Sequence, residues 1–214
     1  MGVVTLNGFR TQPGRLSDHL AATTEAHGHL TRLGMRAAVL QCVSGGDVGV
    51  TTTILNFESH AAHAAGIAKI GADEQWQEFW LRAADGGSAL QVESSIMADV
   101  DPAYQPPADR PFGVIFALQW QAKPGRLVDF MGHVIEALPH IERLGGTPRV
   151  MQSMVGTHPM TTMVSTSFAD LDAYGAYTDA VATDTEFQAF WAGVMSDPTA
   201  DVVRSGLYLN ASPE

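Results

Sequence analysis

The sequence is poor in three things: sulfur that could cross-link, positive charge and long apolar runs. Cysteine occurs once, at Cys42 in the apolar stretch AVLQCV. No internal disulfide can form, and a thiolate metal site has no second thiol. A lone Cys in such a stretch reads as a small buried hydrophobe. Lysine and arginine number 12 against 23 aspartates and glutamates, for a net charge of −11. The few cations are scattered, so no basic stripe follows a phosphate backbone, which argues against nucleic acid and anionic membrane as partners. No apolar run approaches the ~20 residues that cross a bilayer. The first residues lack the charged-then-apolar layout of a secretion signal, so the expected location is cytoplasmic. A phosphate-cradling glycine loop and a G-x-S-x-G elbow are missing too, and the Gly-Gly pairs at 45–46, 86–87 and 145–146 read as turns. Hydrolase and nucleotide-enzyme readings fall away.

What is present is a long internal echo. QPGRLSDHL at 12–20 returns as KPGRLVDFM from Lys123, a step of 111 residues from Pro13 to Pro124. At that constant step Glu25, His29, Arg32, Leu33 and Gly34 match Glu136, His140, Arg143, Leu144 and Gly145. So do Gln41 and Gln152, Thr51 and Thr162, Phe57 and Phe168, and Asp73, Gln77, Phe79 and Trp80 with Asp184, Gln188, Phe190 and Trp191. No gap is needed, so the unit is read as duplicated. Between the copies, residues 98–111 carry four prolines and no apolar period, the mark of a linker. The expected organisation is a first unit at 1–98, a Pro-rich linker at 99–111 and a second unit at 112–214.

Each unit opens on a strand pattern, VVTLNGFRT or GVIFALQWQ, followed by a Pro-Gly turn and a helix. That helix stops at Gly34 or Gly145 with an arginine in its last turn, which suits a C-terminus in residue type and in charge. Pro139 lies inside the second of these helices and is expected to kink or shorten it. Two Thr- and Val-rich strands follow, then an Ala-rich helix, a short amphipathic segment and a last strand. The order β-α-β-β-α-β is the ferredoxin-like arrangement. One such sheet leaves an apolar face bare, and two can bury those faces against each other. The predicted fold class is therefore α+β: two ferredoxin-like units whose antiparallel sheets pack into one intramolecular pseudo-dimeric barrel. The particle is expected to be that monomeric pseudo-dimer or a homodimer of it.

The chain resembles the dimeric α/β-barrel superfamily in tandem-fused form, and within it the NIPSNAP-like branch. The residues that carry the likeness are R-T-x-P-G-R-L from Arg10 to Leu16, H-x-x-R-L-G from His29 to Gly34, and the D-x-x-W-x-x-F-W type segment from Asp73 to Trp80. In the second copy Phe187 replaces the first Trp of that segment. The resemblance implies an apolar cleft between each sheet and its helices. It also implies activities that range over cofactor-free monooxygenases, isomerases, cyclases and haem-binding enzymes, so fold alone does not choose among them.

The residues themselves offer one acid–base constellation, Glu25 with His29, repeated as Glu136 with His140. Spacing of i, i+4 puts both groups on one helix face, where a carboxylate would fix the imidazole tautomer for proton abstraction. The competing reading is a pair placed to suit a helix C-terminus. Trp80 and Trp191 are either core or a wall that stacks on a flat ligand. Gln41 and Gln152 sit in apolar strands, where each amide needs a partner or orients a ligand carbonyl. Tyr174 and Tyr177, at i, i+3, replace His63 and Gly66 and mark a divergence between the two clefts. The second copy likewise turns His19, His27 and His60 into Phe130, Leu138 and Leu171. No third matched ligand accompanies the histidines, so no metal is expected. The cofactor expectation is none, with haem on a single axial imidazole as the alternative. The functional expectation is a cofactor-independent oxygenase, isomerase or cyclase acting on a small apolar or aromatic ligand, against a non-catalytic binding or structural protein.

Overall fold

Strand patterns apolar on both faces need cover on both sides, and the chain provides it with a closed ring of strands inside a layer of helices. The computed structural model describes residues 1–104 and 112–213. The first half runs β1 (Val3–Thr11), α1 (Leu16–Arg32), β2 (Arg36–Gly45), β3 (Val50–Phe57), α2 (His60–Gly71), α3 (Glu74–Gly86) and β4 (Ala89–Asp99). The second runs β5 (Val114–Ala122), α4 (Leu127–Arg143), β6 (Thr147–Val155), β7 (Thr162–Phe168), α5 (Leu171–Thr183), α6 (Thr185–Ser196) and β8 (Ala200–Asn210). All pairings are antiparallel, and the ring order is β1-β3-β2-β8-β5-β7-β6-β4. Each half thus contributes a four-stranded ferredoxin-like sheet.

The two sheets do not simply lie face to face. They are hydrogen-bonded edge to edge along two seams, β2 with β8 and β4 with β6. Neither seam leaves an unpaired edge, which removes the liability of an open sheet. Inward side chains of both halves meet in one core of Val4, Leu6, Leu40, Met97, Ala117, Met151, Met163 and Tyr208. Two buried ion pairs cross it. Arg149 donates to both oxygens of Asp99 at 2.7 and 3.0 Å and to Asn56 at 2.8 Å, and Arg204 donates to both oxygens of Glu93.

The repeated motifs build the helix junctions. Gly14 and Gly125 take φ of +76° and +77° in the Pro-Gly turns that launch α1 and α4. At the other end Gly34 and Gly145 are again left-handed. Met35 N–H reaches Leu30 O at 2.9 Å and Gly34 N–H reaches Thr31 O at 2.8 Å, a Schellman closure. Asp73 then accepts from Trp76 N–H at 2.8 Å, capping α3, while a bidentate bond from Arg32 ties it to α1. Asp184, Phe187 and Arg143 repeat the arrangement. Arg32 holds the Asp73 carboxyl below its usual range, and Arg143 does the same to Asp184.

Pro139 does not shorten its helix: α4 has 17 residues, as α1 does. The proline is solvent-exposed, and the Ile135 position whose carbonyl loses its N–H partner is 60% exposed, so water can serve that carbonyl. The linker expected at 99–111 begins on the last residue of β4, and its part at 105–111 lies outside the described residues. Among the described residues no helix is long and apolar enough to cross a membrane.

Candidate functional site

A cleft of about 660 Å³ lies in the first half between α1, α3 and the outer face of β1, β3 and β4. Small residues make it. Ala22 and Ala26 on α1 and Ala83 and Ala84 on α3 leave room where helix would otherwise pack on sheet. One wall is aromatic: Trp80 stacks on Trp76 at 6.1 Å and meets Phe9 edge-on at 6.3 Å, with Phe79 beside them. The helical i, i+3 and i+4 positions of Trp76, Phe79 and Trp80 place all three on one face of α3.

Against this apolar wall stand Asn7 on β1, His19 on α1, Thr53 on β3 and Gln91 on β4. His19 is 4% exposed, and its Nε2 is buried without a hydrogen-bond partner among the described residues. Burial pushes the His19 pKa down, so the ring stays neutral to lower pH than an ordinary imidazole. Asn7 accepts from Gln91 Nε2 at 3.2 Å through its Oδ1. Among the described residues no Asp, Glu, Lys or Arg lines the cleft.

The histidines singled out by their repeated spacing stand elsewhere. His29 Nε2 is 3.7 Å from Glu25 Oε1, as its helical spacing requires, but the carboxylate is also taken by Arg82. The His29 ring packs against Phe79 and Trp76 at 5.4 and 6.3 Å, in the seam between α1 and α3 and outside the cleft lining. In the second half Glu136 is solvent-exposed and makes no ion pair among the described residues. Gly193 stands where the first half has Arg82, and His140 faces Glu186 at 4.0 Å while stacking on Phe190 at 5.2 Å. The two halves therefore share the imidazole seam but not the Glu–His pair.

Trp80 lines the cleft, whereas Trp191 is packed between Phe187 and Trp120. Gln41 is exposed, so water satisfies its amide. Gln152 donates to Thr161 O and accepts from Thr162 Oγ1, both at 3.1 Å, which occupies its amide within the fold. Tyr174 and Tyr177 pack on Phe168 at 5.5 and 5.0 Å beneath α5, away from the cleft, and burial raises the Tyr177 hydroxyl pKa.

His19 and Asn7 carry no motif, and no spacing singles them out for chemistry. The signal that finds them is the mismatch between the halves. At the positions 111 residues on, Asn7, His19, Thr53 and Gln91 are replaced by Leu118, Phe130, Val164 and Val202. There Phe130 packs with Val134, Ala200, Trp120 and Val164 into a continuous apolar cluster.

A second cavity of about 800 Å³ lies inside the barrel, and its rim includes Tyr104 and Phe112 on either side of residues 105–111. Three of its polar groups are already engaged: Arg204 meets Glu93, Arg149 meets Asp99, and Tyr208 donates to Asp47 at 2.9 Å. Among the described residues no cluster of His, Cys, Asp and Glu could hold a metal ion.

No family model matches the chain, and no curated protein matches it. Solved structures do. An anthrone oxidase-like protein aligns over 98% of this chain and 91% of its own, with a TM-score of 0.62 and 14% identity. A candidate monooxygenase from Fusobacterium nucleatum aligns over 100% and 96%, with a TM-score of 0.61 and 11% identity. A haem-binding protein from Thermus thermophilus aligns over 98% and 90%, with a TM-score of 0.54 and 8% identity. At such identities the likeness shows the fold, which is that of the dimeric α/β-barrel proteins.

Proposed function

We propose that the chain is a cofactor-independent enzyme of the oxygenase, isomerase or cyclase type, and that its substrate is a small apolar, aromatic molecule held in the first-half cleft. The observation that carries the reading is the combination of 660 Å³ of space, a wall of Trp76, Trp80 and Phe9, and a few polar side chains facing it. A mostly apolar cavity with a small number of placed polar groups is the usual form of a small-molecule site. The aromatic wall offers ring faces and edges to a flat ligand and keeps water from it. Trp80 is then a ligand contact. His29 and His140 become positioning residues that hold α1 against α3 and α4 against α6. The NIPSNAP-like segments, Arg10 to Leu16 and Asp73 to Trp80, supply the helix launch and this aromatic wall, and a duplicated ancestral unit accounts for their spacing.

Haem does not fit these residues. Among the described residues the lining offers a single imidazole and no Lys or Arg to meet two propionates.

Anthrone tests the oxygenase arm. One oxygen atom of O₂ goes to the methylene carbon and the other leaves as water with that carbon's two hydrogens, giving anthraquinone. Oxygen uptake and quinone absorbance should exceed the uncatalysed rate with the wild-type chain. Both should return to that rate in Ala83→Trp, which fills the cleft. A binding protein without turnover would take up the ring and consume no oxygen. Oxygen uptake that is the same in both chains would remove the cleft from the reaction.

A further inference from the structure

The second half is an internal control for the first. Both halves build the same strand–helix scaffold, with α1 and α4 of equal length and β1 and β5 of equal length. In the second half the positions matching Asn7, His19, Thr53 and Gln91 are all apolar, and the space they would face is packed by Phe130 and Trp120. The scaffold therefore does not need the polar set. Yet the first half keeps it, and keeps His19 buried with Nε2 unpartnered. An unmet polar atom in the interior is destabilising, so its retention calls for a partner that no described residue supplies. A half-turn of the ring exchanges Nε2 with Cε1 and breaks no bond, since there is none to break. Asn7, half-buried on the same lining, offers the complementary group. Its Oδ1 is engaged by Gln91, which leaves Nδ2 as the donor, and Nδ2 makes no hydrogen bond among the described residues.

The chemistry of the missing partner follows from the lining. With no charged residue among the described ones in the cleft, a charged ligand would lose its hydration without compensation. A neutral molecule does not. A neutral imidazole can accept a hydroxyl proton, and a carboxamide N–H can donate to an oxygen. We infer that the chain binds one ligand, in the first-half cleft alone, and that His19 and Asn7 are the residues that recognise it, as an uncharged ring compound bearing a hydroxyl group. This rests on the cleft being the ligand site.

Two probes of similar shape separate the possibilities, 1-naphthol and 1-methylnaphthalene, titrated by calorimetry and by quenching of tryptophan fluorescence. Wild type should take one naphthol per chain and prefer it to methylnaphthalene by about tenfold, the common worth of one hydrogen bond to a buried group. His19→Phe, which copies the second half, should bring that ratio near one, and because the bulkier ring takes room from both probes alike, the ratio rather than either affinity is the reading. Asn7→Leu should lower the ratio in the same direction, and it carries the test should His19→Phe fold poorly. Phe130→His should leave the stoichiometry at one. Two naphthols per wild-type chain, or a ratio unmoved by both His19→Phe and Asn7→Leu, would overturn the inference while leaving the cleft reading intact. Failure of both probes to bind wild type, or binding unmoved by Ala83→Trp, would overturn the cleft reading and the inference with it.

Discussion

His19 is held in two environments at once, apolar enough to discourage its proton and close enough to a cleft to use its ring nitrogens. That combination has a stability signature. Folding lowers its pKa below the ordinary 6.5 through desolvation, so between the folded value and 6.5 the unfolded chain binds the extra proton. Its contribution is therefore full above about pH 6.5 and is lost as pH falls through that window. Thermal melts from about pH 7 down to about pH 5 should show the wild-type Tm falling more steeply than that of His19→Phe. His63, also lowered by burial, contributes equally to both and cancels in the comparison. Parallel curves would mean that His19 titrates normally. The repeated Glu–His spacing draws attention to His29 because repetition marks what the scaffold needs twice. His19 is hidden for the opposite reason: a residue serving one ligand has no cause to recur, and its burial is a tertiary fact that no local pattern encodes.

At the scale of helices and strands, the backbone requirements of glycine separate residues that end an element from residues that merely occupy one. Gly34 closes α1 at φ +75°, and an added Cβ there meets nothing within 4 Å, so the only penalty is conformational. Gly34→Ala should cost about 1 kcal/mol of folding free energy. Gly28, exposed in the middle of the same helix and also open to a Cβ, should gain about 1 kcal/mol on change to Ala. Urea titrations of the pair should shift in opposite directions, and a stabilising Gly34→Ala would contradict the left-handed closure. Element spans were largely legible from sequence because turns and stops are local. The Pro-Gly start and the Gly34 stop bracket α1 as residue chemistry says they should. The shortening expected at Pro139 does not occur, since the damage a proline does to helix length depends on whether the carbonyl it orphans is exposed, and exposure is set by which face of α4 meets the sheet.

For the molecule as a whole, the ring of eight strands was legible only in part. Each half's strand order follows from its βαββαβ pattern, but the edge-to-edge seams depend on register between segments far apart in the chain. Those seams place Glu93 and Arg204, residues 111 apart, against one another inside the barrel. Arg204→Leu should cost about 3 kcal/mol or more, because it strands a buried carboxylate. Adding Glu93→Leu should recover most of that loss. Denaturant midpoints of the two single variants and the double variant check this, and strictly additive losses would show that the pair is not coupled.

Closing the ring within one polypeptide has a consequence for what can change. Were the same ring assembled from two identical subunits, every exchange of a side chain would be installed on both flanks together, and a feature suited to chemistry would have to be tolerated wherever its twin landed. Here one flank can be altered alone. His19 can sit opposite Phe130, and the quiet flank can keep its dense interior as ballast for a neighbour that has given up packing for selectivity.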